Sequence, residues 1–233
     1  MSVDREVATT RDIQAAPSTA KRSRMGQLDD RFLALVWHVL ASDGHAAEES
    51  TKAVGVTSSI KGEGTTTVAS NMAITAAALN IGPVLLVDAN VHRPNLHRVF
   101  GVDGDVGLQN TLCGELTPLE CITPSPVSNL SLMLNGRIDP DEVAVYSKSS
   151  IDELLDELKD VFRLILFDLP PANDSNVCRS LAGRLDGVLF VVDAERVDRD
   201  TGRRMCDRLR RANANLLGAV YNRVPGEKRS PRR

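Results

Sequence analysis

Apolar positions along the chain follow two patterns that alternate. Leu28, Phe32, Leu35 and Val39 recur at three- and four-residue steps, which predicts a first helix with one apolar face. Ala53 to Thr57 is a short continuous apolar run, the pattern of a strand buried on both faces. Thr65 to Leu79 returns to helical spacing, with Val68, Met72, Ala76 and Leu79 on one face and Gly82 and Pro83 closing it. Val84 to Val87 predicts a second buried strand, and Leu130 to Leu134 a weaker third. Ser150 and Glu153 have the spacing of a capping box opening a helix whose face is Ile151, Leu154, Leu155, Leu158 and Val161. Leu164 to Phe167, Val188 to Val192 and Leu217 to Tyr221 predict three more strands. Val177, Leu181 and Leu185 mark a helix between the first two of these, and Met205 and Leu209 one between the last two. Such alternation predicts an α/β fold: a doubly wound, mostly parallel sheet with helices on both faces. Strand order is not contained in the pattern.

The ends lack this periodicity. Residues 1–26 are polar and predict a disordered N-terminal arm, and residues 225–233 a basic disordered tail, leaving 27–224 as the folded domain. Composition narrows the function classes. The 233 residues include only five Phe, two Tyr and one Trp, so the core is aliphatic and a surface that stacks on bases is not expected. Lys and Arg (28) nearly balance Asp and Glu (31), which argues against a nucleic-acid partner. No apolar run approaches the roughly 18 residues of a membrane span, and the first residues lack the apolar stretch of a secretory signal. Cys113, Cys121, Cys178 and Cys206 show no metal or disulfide spacing, so reduced thiols and a cytoplasmic setting are expected. His38, His92 and His97 stand isolated, and Tyr146 and Tyr221 read as packed residues. Seven arginines between Arg196 and Arg211, against three aspartates, read as a solvated helix face.

Candidate chemistry lies at strand ends. Between the first strand and the next helix runs Ser58-Ser59-Ile60-Lys61-Gly62-Glu63-Gly64-Thr65-Thr66-Thr67. Small residues in such a turn let backbone N–H groups and a helix N-terminus converge on a phosphate. Against the pattern GxxxxGK[ST], Ser59 replaces the first glycine and Thr65 replaces the lysine. Asp88 and Asp168 each end an apolar strand, where ligands bind in doubly wound sheets. Two such carboxylates beside the Thr66 hydroxyl suit a hydrated magnesium ion, and equally suit strand-end turn residues without a metal.

Taken in order, TSSIKGEGTTT, SNMA, VLLVDANVHRP, GLQNTL, FDLPP, DGVLFVV and LLGAVYNRV resemble the bacterial tyrosine kinases (BY-kinases) of capsule and exopolysaccharide synthesis. These are MinD/ParA-like P-loop ATPases, and the resemblance spans residues 27–224. It implies ATP or ADP with Mg2+ as cofactors. It puts Ser59, Lys61, Gly62, Glu63, Gly64, Thr65, Thr66 and Thr67 in the phosphate loop and Asn222 against the base. It makes Thr66, Asp88 and Asp168 the metal ligands and Asp88 and Asp168 the catalytic acids. It further implies a membrane polysaccharide co-polymerase or export protein as partner, and a cytoplasmic chain held at the inner membrane through it.

The departures from the family pattern bear on activity. Thr65 stands for the loop lysine and Asn90 for the second acid of a DxD-like motif. Asp30, Leu33 and Val36 occupy the places of an ExxRxxR oligomerisation motif, so both arginines are missing, and homo-oligomerisation stays open. The C-terminal tyrosine cluster is absent. Losing one well-placed electrostatic donor costs about 10²–10³ in rate. The chain is thus expected to be a catalytically degenerate regulatory subunit. Two alternatives stand beside it: an active kinase or ATPase with a relocated cation, Lys61 or secondarily Arg93, and a MinD/ParA-like positioning ATPase.

Overall fold

The computed structural model describes residues 29–42, 51–137, 147–173 and 176–224. The expected arm and tail, the Leu28 helix position and Tyr146 lie outside them. In chain order the elements are α1 (Asp30–Leu40), β1 (Lys52–Ser58), α2 (Thr65–Ala78), β2 (Val84–Asp88), α3 (Leu96–Phe100), α4 (Leu108–Leu112), β3 (Ile122–Pro124), β4 (Leu130–Met133), α5 (Lys148–Lys159), β5 (Leu164–Asp168), α6 (Asn176–Ala182), β6 (Gly187–Asp193), α7 (Arg199–Arg211) and β7 (Leu216–Asn222).

The strands form a seven-stranded sheet in the order β3-β4-β2-β5-β1-β6-β7. Every pairing is parallel except β3 with β4, which is antiparallel at one edge. Successive strand residues point to opposite faces, and here both faces are dry. Leu85, Val87, Ile165, Phe167, Val188 and Phe190 enter one core beneath α4, α5, α6 and α7. Val84, Leu86, Leu164, Leu166, Leu189 and Val191 enter the other beneath α1, α2 and α3. That two-sided burial is why the strands read as unbroken apolar runs. The expected doubly wound α/β architecture is the one observed.

Several details differ from the expectations. Helix α5 starts earlier than the Ser150–Glu153 capping box: Ser147 is the N-cap, its hydroxyl accepting from the Ser150 N–H at 3.0 Å. Helix α2 is buried over more than one face, Ser70, Ala73, Thr75 and Ala77 included, because it is built from residues small enough to lie close to the sheet. Helices α3 and α4 and strand β3 carry too few residues for a periodic signal. Tyr221 is not packed; it lies 68% exposed on the edge strand β7. Arg196 falls outside α7, whose remaining arginines are exposed while Met205 and Leu209 dock inward. No two of the four cysteines form a disulfide. Among the described residues, no helix is long and apolar enough to cross a membrane.

Candidate functional site: a phosphate-loop cleft

The carboxyl ends of β1, β2 and β5 open onto a cleft of about 800 Å³. Its floor is the turn from β1 into α2. Gly64, the N-cap of α2, has φ +97°, a left-handed conformation that suits glycine. A Cβ there would also lie 2.2 Å from the Asn222 side-chain nitrogen. The turn is held from behind by a buried carboxylate. Glu63, fully buried, accepts from the Ile60 N–H at 2.7 Å and from the Asp193 N–H at 2.9 Å, tying the loop to the end of β6. Asn222 Nδ2 donates to the Glu63 carbonyl at 2.7 Å, and Arg196 Nη1 donates to the Lys61 carbonyl at 3.4 Å.

The residues expected in the phosphate loop therefore divide. Lys61, Gly62, Gly64, Thr65 and Thr66 line the cleft. Ser59 is buried behind it, the Glu63 side chain braces it, and Thr67 and Asn222 do not line it. Asn222 instead holds loop backbone. Ser58, which does line the cleft, had no signal distinguishing it from its neighbour Ser59.

The two strand-end acids come together but do different things. In-register pairing of β2 with β5 sets Asp88 beside Asp168. Asp168 accepts from the Thr66 hydroxyl at 2.7 Å. Its other oxygen, Oδ1, is buried without a hydrogen-bond partner, as is Ser59 Oγ. Burial pushes the Asp168 carboxyl up to about 8; the Thr66 hydrogen bond opposes this and the Asp88 charge reinforces it. Asp88 is also raised by burial, but three backbone N–H groups, those of Leu96, Asn95 and Asn90, work against the shift. Its Oδ2 accepts from Asn95 at 2.8 Å and Leu96 at 3.0 Å, and its Oδ1 from Asn90 at 3.2 Å. Two carboxylates this close resist joint ionisation. Asp88, with three donors, is the one stabilised as the anion.

These features fit a Mg2+-bound nucleotide. The backbone of the loop and the N-terminus of α2 suit phosphate oxygens. The orphaned Asp168 Oδ1 and the Thr66 hydroxyl suit a hard cation, whose charge would relieve the strand-end acids. Among the described residues, no three His, Cys, Asp or Glu side chains cluster as a self-sufficient metal site, so the phosphates would have to complete the shell.

A second group of cleft-lining residues was largely missed from sequence. Asn90, Pro94 and Asn95 line the cleft, and so do His92 and His97, isolated in the sequence, together with Arg93 and Arg98. Arg223, beyond β7, lines it too, with Nη1 2.5 Å from Oδ2 of the buried Asp193. Cations scattered over a chain read as surface charges; only the fold gathers them.

No family model matches the chain. The tyrosine-protein kinase YwqD of Bacillus subtilis is 27% identical over 177 residues, 76% of this chain and 74% of that one. The chimerical protein CapA2B2 superposes with a TM-score of 0.76 at 22% identity, covering 88% of both chains. MinD of Pyrococcus horikoshii, solved with Mg-ADP, superposes with a TM-score of 0.66 at 24% identity, covering 75% of this chain and 71% of that one. At those identities the two structural likenesses speak for the fold, and the relatives named as tyrosine-protein kinases speak for descent. In its ordered motifs and its relatives the chain is similar to the BY-kinases, and its sheet has the fold of the MinD-like P-loop ATPases.

Proposed function

We propose that this chain binds a nucleoside diphosphate or triphosphate with Mg2+ and acts as a slow or silent BY-kinase-like regulatory subunit in capsule or exopolysaccharide synthesis. The observation that carries the reading is Thr65. It occupies the lysine position of a loop that keeps Gly62, Gly64 and the Thr66 hydroxyl, and it lines the cleft beside Thr66. Phosphoryl transfer relies on positioning and on charge placed against the phosphates. A threonine hydroxyl offers one neutral hydrogen bond where the pattern has a full positive charge. Asn90 removes a second group: its side-chain oxygen accepts from the Arg93 N–H at 3.3 Å and closes a turn, and an amide has no basicity for proton transfer. Asp88 is equally engaged in backbone hydrogen bonds. The residues that would hold the nucleotide are the loop from Lys61 to Thr66, with Thr66 and Asp168 at the metal. Bound Mg2+ would supply charge neutralisation between the phosphates and these two side chains.

The resemblance of the chain to BY-kinases supports a membrane polysaccharide co-polymerase or export protein as its partner, reached from the cytoplasmic side. The active-enzyme reading keeps one supporting observation, Lys61 on the cleft wall. The test compares wild type with Thr65→Lys for ATP·Mg binding and phosphate release. We expect binding by both and release by wild type about 10²-fold or more below the variant. Equal release by the two, abolished by Asp168→Ala, overturns the silent reading.

A further inference from the structure

Restoring charge to a cleft that lacks its lysine requires cations already aimed into it. The cleft lining carries Lys61, Arg93, Arg98 and Arg223, two histidines and no carboxylate, so its walls are built for an anion. The four permanent charges are not equivalent. Arg223 is committed to the buried Asp193. Lys61 lies on the outer part of the loop and has a contact of its own. Arg93 and Arg98 have no carboxylate partner among the described residues.

Their presentation is also fixed. Between them Leu96 is fully buried in the sheet's second core, and Phe100 follows it inward. Asp88 clamps the segment by accepting from the Asn90, Asn95 and Leu96 N–H groups. The Arg93 N–H closes on Asn90 through both its carbonyl at 3.1 Å and its side chain at 3.3 Å. Side chains on a clamped backbone lose less freedom on binding than side chains on a mobile loop. Guanidinium groups also match phosphate oxygens bidentately.

We propose that Arg93, on the Asp88-clamped turn between β2 and α3, and Arg98, on α3 itself, supply from the cleft lining the charge against a nucleotide's terminal phosphates that Thr65 cannot. This assignment rests on the nucleotide-binding reading above and adds the residues that make it work. It also gives Asn90 and Asp88 a positive role, as the turn that presents the two arginines.

The test is titration of a fluorescent ADP analogue with Mg2+ into the full chain, with circular dichroism to check folding. The double variant Arg93→Gln/Arg98→Gln should weaken binding at least tenfold and flatten the salt dependence of the dissociation constant. Arg93→Lys/Arg98→Lys should recover part of the loss, and adding Thr65→Lys to the glutamine variant should recover most of it. Binding left unchanged by the double glutamine variant overturns the proposal while leaving the nucleotide reading intact. So does a loss seen only with Lys61→Ala. A folded wild type that binds no ADP analogue overturns both.

Discussion

A single carboxyl shows most directly what the cleft requires. Asp168 is fully buried, accepts only one hydrogen bond, and has its proton affinity raised to about 8 from an ordinary 3.8. The folded chain therefore keeps a proton that the unfolded chain releases. By linkage, the stability this carboxyl contributes is full below about pH 4 and is lost as pH rises through about 8. Asp168→Asn, which is neutral at every pH, should raise the melting temperature at about pH 9 and change it much less at about pH 5, both measured without Mg2+ or nucleotide. An equal change at the two pH values would show that burial of the charge is not the governing cost. Asp168 could be located from the sequence, as an acid ending an apolar strand. Its protonation could not, because desolvation and the neighbouring Asp88 both arise from strand pairing.

Helix boundaries depend on local chemistry, and here the sequence allowed two choices. Four residues, Ser147 to Ser150, include three serines, and spacing alone favoured the capping box with Glu153. In the fold the Ser147 hydroxyl receives the Ser150 N–H and α5 gains an extra turn. Replacing an N-cap serine with alanine costs ~0.5–2 kcal/mol. Chemical denaturation should accordingly find Ser147→Ala destabilised by ~1 kcal/mol and Glu153→Ala nearly unchanged; the reverse order would restore the capping box. The phosphate-loop turn behaves differently. Gly62 and Gly64 were visible as punctuation, whereas its brace was not. Glu63 reaches an N–H of β6, 130 residues away in sequence.

Across the whole molecule, the sheet is covered on both sides, so neighbouring residues of one strand serve different cores. Leu85 and Leu86 are both fully buried, the first under α4 and α5, the second under α2. Truncating a buried leucine to alanine costs ~2–5 kcal/mol. Leu85→Ala and Leu86→Ala should both fall in that range by urea unfolding. One mild and one severe result would mean that one face is solvated. The same two-sided architecture leaves the carboxyl edge of the sheet as the place where strand ends from distant parts of the chain meet, and the cleft is there.

Local physical chemistry is written in the sequence: apolar runs and helical spacing, the glycines of a phosphate loop, acids at strand ends, and the threonine where a lysine is expected. Those signals depend on neighbours a few residues apart, and they were sufficient for the architecture and for the loop's position. The tertiary structure alone decided which groups face one another. It turned Glu63 and Asn222 into braces, spent Asp88 on a turn, left Asp168 Oδ1 without a partner, and brought Arg93 and Arg98 into the lining of the same cleft as Thr65. The reason is strand order: β1, β2 and β5 are adjacent only because the chain crosses over between them, and apolar spacing carries no record of those crossings.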